Sequence, residues 1–403
     1  MKLLFVSENV TLAQVVRLFV LARGAALAGH DVHFACASFD ERIFAGAPLS
    51  RWKIKSISRE TVDARIASGG RIHELDELAA YVDEELRLMR EVKPDLVIGD
   101  LRPSLSISAP LARVRQATLI NAYWSPHAVR ARFPLPDHPI VRAVGIERAE
   151  KYFPLAMPHV FAHFAKPVNA LRRRHRLPEI GSLLEVMTHG DLVLHPDSPG
   201  LVPTRGAPRH HVHLGPIPWS PSDVAPFEHR APRARPLVYA TLGSSGKLDL
   251  VPIVLQAVDG LDVDVVLATA GRVQPTRVPS NVQVYDFVAG DRLAAAADVV
   301  ISNGGSTTGY QALTEGTPVI GLPFNLDQYL ATSAIVTAGA GLVVRSGSAT
   351  PQAIRAAISA VLSLESFRVA ARRVSHELAR FEAVARFLEV IEGPRREEPA
   401  FAP

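Results

Sequence analysis

Residues 298–328, DVVISNGGSTTGYQALTEGTPVIGLPFNLDQ, restrict the fold more than any other part of the chain. Val299, Val300 and Ile301 form a short β-branched run typical of a parallel strand covered on both faces. Asn303-Gly304-Gly305 breaks that strand, Ser306, Thr307 and Thr308 follow, and a helix is expected to continue from Gly309 to Glu315. Two glycines let a backbone pass close to a ligand. Hydroxyls and free amides at a helix start form an anion site, helped by the helix dipole. Val319 to Leu322 reads as the next buried strand, with Asn325-Leu326-Asp327-Gln328 just past its carboxyl end. Open α/β sheets bind ligands at that end. A strand, a glycine turn and a helix are often mere structure; the spacing out to Asp327-Gln328 points further, to a ligand.

The stretch resembles the nucleotide-sugar motif of the family 1 (UGT-like, macrolide-type) glycosyltransferases of the GT-B fold. In that family a His-Gly-Gly turn and the next hydroxyls hold the donor diphosphate, and a later Asp/Glu-Gln pair holds sugar hydroxyls. The resemblance therefore implies a diphosphate at Gly304, Gly305 and Ser306 to Thr308, and a sugar at Asp327 and Gln328. Two positions depart from the pattern. Asn303 stands where the family usually has His, and Gln311 where many members carry a ribose-binding Glu. Asn can still donate to a phosphate oxygen and Gln can accept from a ribose hydroxyl. The implied fold is α/β, with two doubly wound Rossmann-like domains facing a central cleft.

At 403 residues the chain is too long for one compact core, so two domains are expected. They are placed at 1–198 and 236–380, with a proline-rich linker over 199–235 and a C-terminal helix and tail over 381–403. The net charge of +4 is modest, and Arg172-Arg173-Arg174 reads as solvated surface. No basic stretch is interleaved with aromatics, so nucleic acid is not an expected partner. The single cysteine, Cys36, excludes an intramolecular disulfide or a Cys cluster for zinc, and reads as an inert core thiol. Leu3 to Val6 is too short for the apolar core of a secretory signal. Leu12 to Leu27 carries Arg17 and Arg23, which argues against a membrane span. A cytoplasmic protein is the default expectation, and a homodimer is left open.

Taken in order, the chain alternates strands and helices, the rhythm of a doubly wound parallel sheet. Strands are expected at Lys2–Val6, Val32–Ala35, Asp95–Asp100, Ala117–Asn121 and Leu192–Leu194, with helices at Gln14–Ala28, His73–Val92 and Ser104–Val114 between them. Trp124 to Leu194 breaks the rhythm, and short helical pieces at Ile140–Phe153 and Val160–Arg174 fit it best. In a two-domain transferase the acceptor pocket would be built there. The histidines of Arg209-His210-His211-Val212-His213 read as linker surface, since no carboxylate or Cys follows at ligand spacing. A second sheet starts at Leu237–Leu242, ends in Gly243-Ser244-Ser245-Gly246, and continues through Val263–Ala268, Val282–Tyr285, Val299–Ser302, Val319–Leu322 and Gly341–Val344. Thr350-Pro351 starts a helix. Ser366 to Ile391 reads as one long helix pattern, and Gly393 to Pro403 as disordered.

Glycosyl transfer requires a stabilised leaving diphosphate, a held sugar and a deprotonated acceptor hydroxyl. Gly243, Ser244 and Ser245 could face the phosphates from the other strand end. By resemblance, Phe287 and Val288 lie where backbone groups meet the nucleotide base, uracil or thymine. Helix amides rather than a metal ion are expected to take the phosphate charge, and no cofactor beyond a UDP- or TDP-sugar is expected. The base is the gap. Family members usually carry a His at the start of the first helix, oriented by an Asp after a later strand; those positions here are Gln14 and Asp100. A primary amide is no base near neutral pH, so Asp100 is expected to accept from the Gln14 amide or from the acceptor itself. His127 is the alternative base. A carboxylate with a pKa near 4 is weak against an alkyl alcohol but suffices for a phenol. The expected function is sugar transfer to a small-molecule acceptor. A non-catalytic nucleotide-sugar-binding relative is the alternative, and a GT-B epimerase or phosphorylase has less support.

Overall fold

The structure, a computed structural model, describes residues 1–221, 224 and 235–393. The first sheet contains β1 (Lys2–Ser7), β2 (Asp31–Cys36), β3 (Ser50–Lys53), β4 (Leu96–Asp100), β5 (Arg115–Leu119), β6 (Leu192–His195) and β7 (His211–His213). All its pairs are parallel, in the order β3-β2-β1-β4-β5-β6-β7. The second contains β8 (Leu237–Thr241), β9 (Asp264–Ala268), β10 (Val282–Tyr285), β11 (Val299–Ser302), β12 (Val319–Gly321) and β13 (Gly341–Val343), in the parallel order β10-β9-β8-β11-β12-β13. Strand order reverses between β1 and β4 in one sheet and between β8 and β11 in the other. These two switch points are where such sheets open a crevice for ligands.

The central strands were legible because helices cover both of their faces. Leu3, Leu4, Phe5 and Val6 are all fully buried, as are Val299, Val300 and Ile301, so each reads as an unbroken apolar run. The two edge strands of the first sheet were not. β3 (Ser-Arg-Trp-Lys) and β7 (His-Val-His) are short and polar, the composition that protects an edge from pairing further. The histidine segment at 211–213 is therefore part of the first sheet rather than linker surface. Among the described residues, no group of three or more His, Cys, Asp or Glu is placed to hold a metal ion. Residues 222–223 and 225–234 of the expected linker, and the tail from 394 onward, lie outside the described residues.

The acceptor-side helix departs most from expectation. After a short helix Pro139–Val144, a single helix runs from Ile146 to Arg174 through Pro154, Pro158 and Pro167. Each proline removes one backbone hydrogen bond. Burial of Met157, Phe161, Ala165, Val168 and Leu171, spaced by three or four residues, offsets that loss by holding one face against the fold. The end of the chain also differs. The expected long helix breaks at Ala379–Glu382 into Glu365–Leu378, which packs on the second domain, and Ala383–Glu392, which packs on the first. In the second piece Phe387 meets Phe5 at 6.0 Å between ring centroids, and Glu392 Oε1 pairs with His30 Nε2 at 2.8 Å. At the break, Phe381 covers Gly215 so closely that a Cβ there would lie 2.2 Å from the Phe381 Cβ.

A second strap joins the domains at the mouth of the cleft. Asp137, in the loop before Pro139, accepts from Arg345 Nη2 at 2.8 Å, Tyr329 Oη at 3.1 Å and Gly347 N at 2.5 Å. Its own amide donates to Phe324 O at 2.9 Å. Arg345 also stacks on Tyr329, 4.9 Å from the ring centroid. Cys36 is buried, and burial pushes its thiol up to about 12, as expected of an inert core cysteine. Among the described residues no helix is long and apolar enough to cross a membrane.

Candidate active site

Thr241 ends β8, Ser302 ends β11, and the two are register partners. The turns that follow, Gly243–Gly246 and Asn303–Gly305, therefore lie side by side at the switch point. Asn303 braces them: its Nδ2 donates to Ser245 Oγ at 2.9 Å and its Oδ1 accepts from Gly305 N at 3.1 Å. Gly304 has φ +81°, and a Cβ there would lie 2.5 Å from Thr332 Oγ1, so only glycine fits. Gly305 is the N-cap of the helix Ser306–Thr314, whose first amides have no intrahelical acceptor. Thr307 Oγ1 is buried with no hydrogen-bond partner, an open donor beside those amides. Arg272 fixes the first turn by donating to Gly243 O at 3.2 Å and Gly246 O at 2.8 Å. Leu12 N, at the start of the first helix, reaches across to Ser244 Oγ at 3.2 Å.

Asp327 and Gln328 occupy the first turn of the helix Leu326–Thr337, capped by Asn325. The Gln328 side chain turns back to accept from Phe324 N at 3.0 Å. Asp327 Oδ1 accepts from Trp124 Nε1 at 2.7 Å and Tyr123 Oη at 3.2 Å, both from the other domain. Burial raises the Asp327 pKa against those two bonds and against Arg17. Gln311 donates to Trp219 O at 2.5 Å. Phe287 carries Arg42 over its ring at 4.2 Å, and it lines the cleft with Val288.

On the facing domain the expected partnership of Asp100 and Gln14 is not formed. Gln14 Oε1 accepts from Thr11 N at 2.9 Å and caps its own helix. Asp100 is taken by Arg17, one turn further along: Nε to Oδ2 at 3.1 Å, and Nη2 to Oδ1 at 2.9 Å and Oδ2 at 2.8 Å. A planar guanidinium satisfies a carboxylate at two points, which an amide cannot do. Arg17 Nη1 continues to Asn121 Oδ1 at 2.6 Å, and Asn121 Nδ2 to Asp197 Oδ1 at 2.9 Å. Tyr310, on the helix behind Gly305, donates to Asp197 and ties this chain to the diphosphate-side helix. Burial pushes Asp100 up to about 6, with Arg17 pulling the other way. His127 is not on the cleft wall; its ring meets His211 at 5.6 Å.

All the expected donor residues except Gly304 line one cavity of about 1150 Å³, and Gln14 shares it. Its other end is walled by Val141, Met157, Val160, Phe161, Phe164 and Met187. The arrangement is a polar, amide-rich end joined to a long apolar end, with Arg17, Asn121 and Asp327 between them.

The chain was compared with known proteins. Residues 252–385 match the family described as Erythromycin biosynthesis protein CIII-like, C-terminal domain. Over 377 residues the chain is 44% identical to a PGL/p-HBAD biosynthesis glycosyltransferase of Mycobacterium tuberculosis (strain ATCC 25177 / H37Ra), covering 93% of this chain and 88% of that protein. The chain belongs to the family 1 glycosyltransferases. It is also 42% identical to a PGL/p-HBAD biosynthesis rhamnosyltransferase of Mycobacterium bovis (strain BCG / Pasteur 1173P2), over 94% of this chain and 84% of that one. Its fold matches that of the spinosyn rhamnosyltransferase SpnG complexed with thymidine diphosphate, with a TM-score of 0.72 at 20% identity, covering 98% of this chain and 100% of that one.

This glycosyltransferase thus has the two-domain GT-B fold its donor motif implied. Arg17, Asn121, Trp124 and Asp197 were missed as site residues. The signal for Arg17 was present: an arginine three residues after Gln14, among the apolar residues of a helix that proved to be buried. A lone charge in that setting calls for a partner. Nothing in the sequence marked Arg272.

Proposed function

We propose that this glycosyltransferase moves a sugar from a UDP- or TDP-sugar to the hydroxyl of a largely apolar, phenol-like acceptor. The observation that carries this reading is the single cavity with an amide-rich donor end and an apolar far end. Amides at the start of the Ser306–Thr314 helix, together with the open Thr307 hydroxyl, would take the diphosphate charge without a metal ion. Asp327 and Gln328 would hold sugar hydroxyls at the junction. Relatives named for PGL/p-HBAD biosynthesis, and a structural neighbour solved with thymidine diphosphate, favour the same donor and acceptor classes. An already acidic acceptor also suits a site whose Asp100 is held by Arg17 and whose Gln14 is spent on a helix cap.

The test is a panel of nucleoside diphosphates in thermal unfolding, then transfer from the matching sugar nucleotide to one phenol and one alkyl alcohol. UDP or TDP should raise the melting temperature, and the phenol should be the better acceptor. A protein that binds neither nucleotide, or prefers the alcohol, removes this reading. Asp327→Ala separates sugar from nucleotide. It should lower kcat with the sugar nucleotide by at least tenfold, about 1.4 kcal/mol of transition-state stabilisation, while UDP or TDP affinity stays within threefold. Equal losses in both would make Asp327 a structural bridge to Trp124 and Tyr123.

A further inference from the structure

With Asp100 locked by Arg17, Gln14 capping its helix and His127 off the cleft wall, none of the three side chains named above is placed as a base. Two other imidazoles line the cavity, His73 and His138, and the His138 ring lies against Gly69, where its Nε2 would meet an added Cβ at 2.6 Å. His73 precedes the helix Leu75–Val92 and lines the cavity, as do Glu8, Gln14, Val62 and Ile66. Its Nδ1 is buried with no hydrogen-bond partner. The ring stands edge-on to Tyr81 at 5.9 Å. We propose that His73 is the general base that deprotonates the acceptor, an inference that rests on the transfer reading above.

Charged groups surround His73 from four elements. They are Glu8 after β1, Arg65 of the helix Arg59–Ser68, Glu77 of the helix Leu75–Val92, and Arg102 after β4. Burial holds the ring below the usual imidazole value; Arg102 and Arg65 add to that shift, while Glu8 and Glu77 oppose it. The imidazole is therefore neutral near pH 7, the form that accepts a proton. Glu8 is itself anchored, accepting from Arg102 Nη1 at 3.1 Å, so its negative charge is fixed near the imidazolium that would form. In the step, the acceptor hydroxyl gives its proton to the imidazole while its oxygen bonds to the anomeric carbon of the sugar. The bond from that carbon to the diphosphate breaks, the nucleoside diphosphate keeps the electron pair, and the imidazolium returns its proton to water. A neutral imidazole suits a phenol, whose proton is far less tightly held than that of an alkyl alcohol.

The experiment uses the full chain with the sugar nucleotide and phenol that the transfer assay identifies. H73Q and H73N should lower kcat by about 100-fold, the lower end of the range for losing a general base. They should leave the melting-temperature shift by UDP or TDP unchanged. Wild-type kcat/KM should fall on the acid side of the profile, below about pH 6.5. In H73Q that limb should vanish, with the rate climbing toward the phenol's own ionisation. Added imidazole should restore part of the activity of H73A. Variants within threefold of wild type overturn the proposal. So does an acid limb that persists in H73Q, since it would belong to Asp100. Loss of nucleotide binding in both H73Q and H73N would make His73 structural and overturns it equally. A wild-type protein without nucleotide binding or transfer instead strikes the reading on which the proposal stands.

Discussion

Replacing Arg17 with methionine is expected to destabilise the protein by about 3–5 kcal/mol at pH 8, the cost of leaving one partner of a buried ion pair alone. Arg17 and Asp100 side chains are 8% and 0% exposed, so the carboxylate is shielded from bulk solvent. The effect carries a pH signature. Burial pushes the Asp100 carboxyl up to about 6 even with Arg17 opposite, from an ordinary value of 3.8. A group whose folded pKa lies above its unfolded value favours folding in its protonated form. That contribution is full below the unfolded value and is lost as pH rises through the folded one. Without Arg17 the folded value moves higher still. The deficit of R17M relative to wild type should therefore be largest near pH 8 and narrow as pH falls below about 6. Urea denaturation of both proteins at pH 5 and pH 8 measures it. The double variant R17M/D100N should recover part of the loss, because an amide leaves no buried charge. A deficit equal at both pH values would mean that the Arg17 contribution is packing and not charge.

Gly305→Asp should abolish nucleotide binding while leaving the free protein as stable as wild type. Gly305 is the N-cap of the helix Ser306–Thr314, with φ −69° and ψ 145°, a conformation open to any residue. A Cβ there meets only Asn303, at 3.2 Å from Oδ1. Aspartate is also a better N-cap than glycine, by a few tenths of a kcal/mol. The same carboxylate would lie against the helix amides offered to a diphosphate and repel it. At a ligand concentration about 100 times the dissociation constant, a bound nucleotide adds about 2.7 kcal/mol of stability, and the variant should lose all of it. Thermal unfolding with and without UDP or TDP gives both numbers. Gly304→Ala is the contrast, since its φ of +81° and its contact with Thr332 predict a less stable protein even without ligand. A G305D variant that still gains stability from nucleotide would move the diphosphate elsewhere.

The donor half of the site was legible because it is nearly contiguous. One strand, one glycine turn, one helix and the next strand end bring Asn303 to Gln328 around a single switch point. Apolar runs in β1 and β11 named their strands because both faces are covered. Local pattern gave no such mark to the edge strands β3 and β7, or to the unbroken helix through three prolines. Those depend on what lies beside them. The acceptor half was legible only as a region. Arg17 meets Asp100 across 83 residues of sequence, and Trp124 meets Asp327 across 203. Periodicity records which side of its own element a residue occupies; it does not record which other element that side will face. Strand order set Arg17 over the end of β4, and the approach of the two domains set Asp327 against Trp124 and Tyr123. The polar chain through the cleft was decided there, because the strength of a buried charge's pairing depends on distance and burial, and only the tertiary structure supplies either.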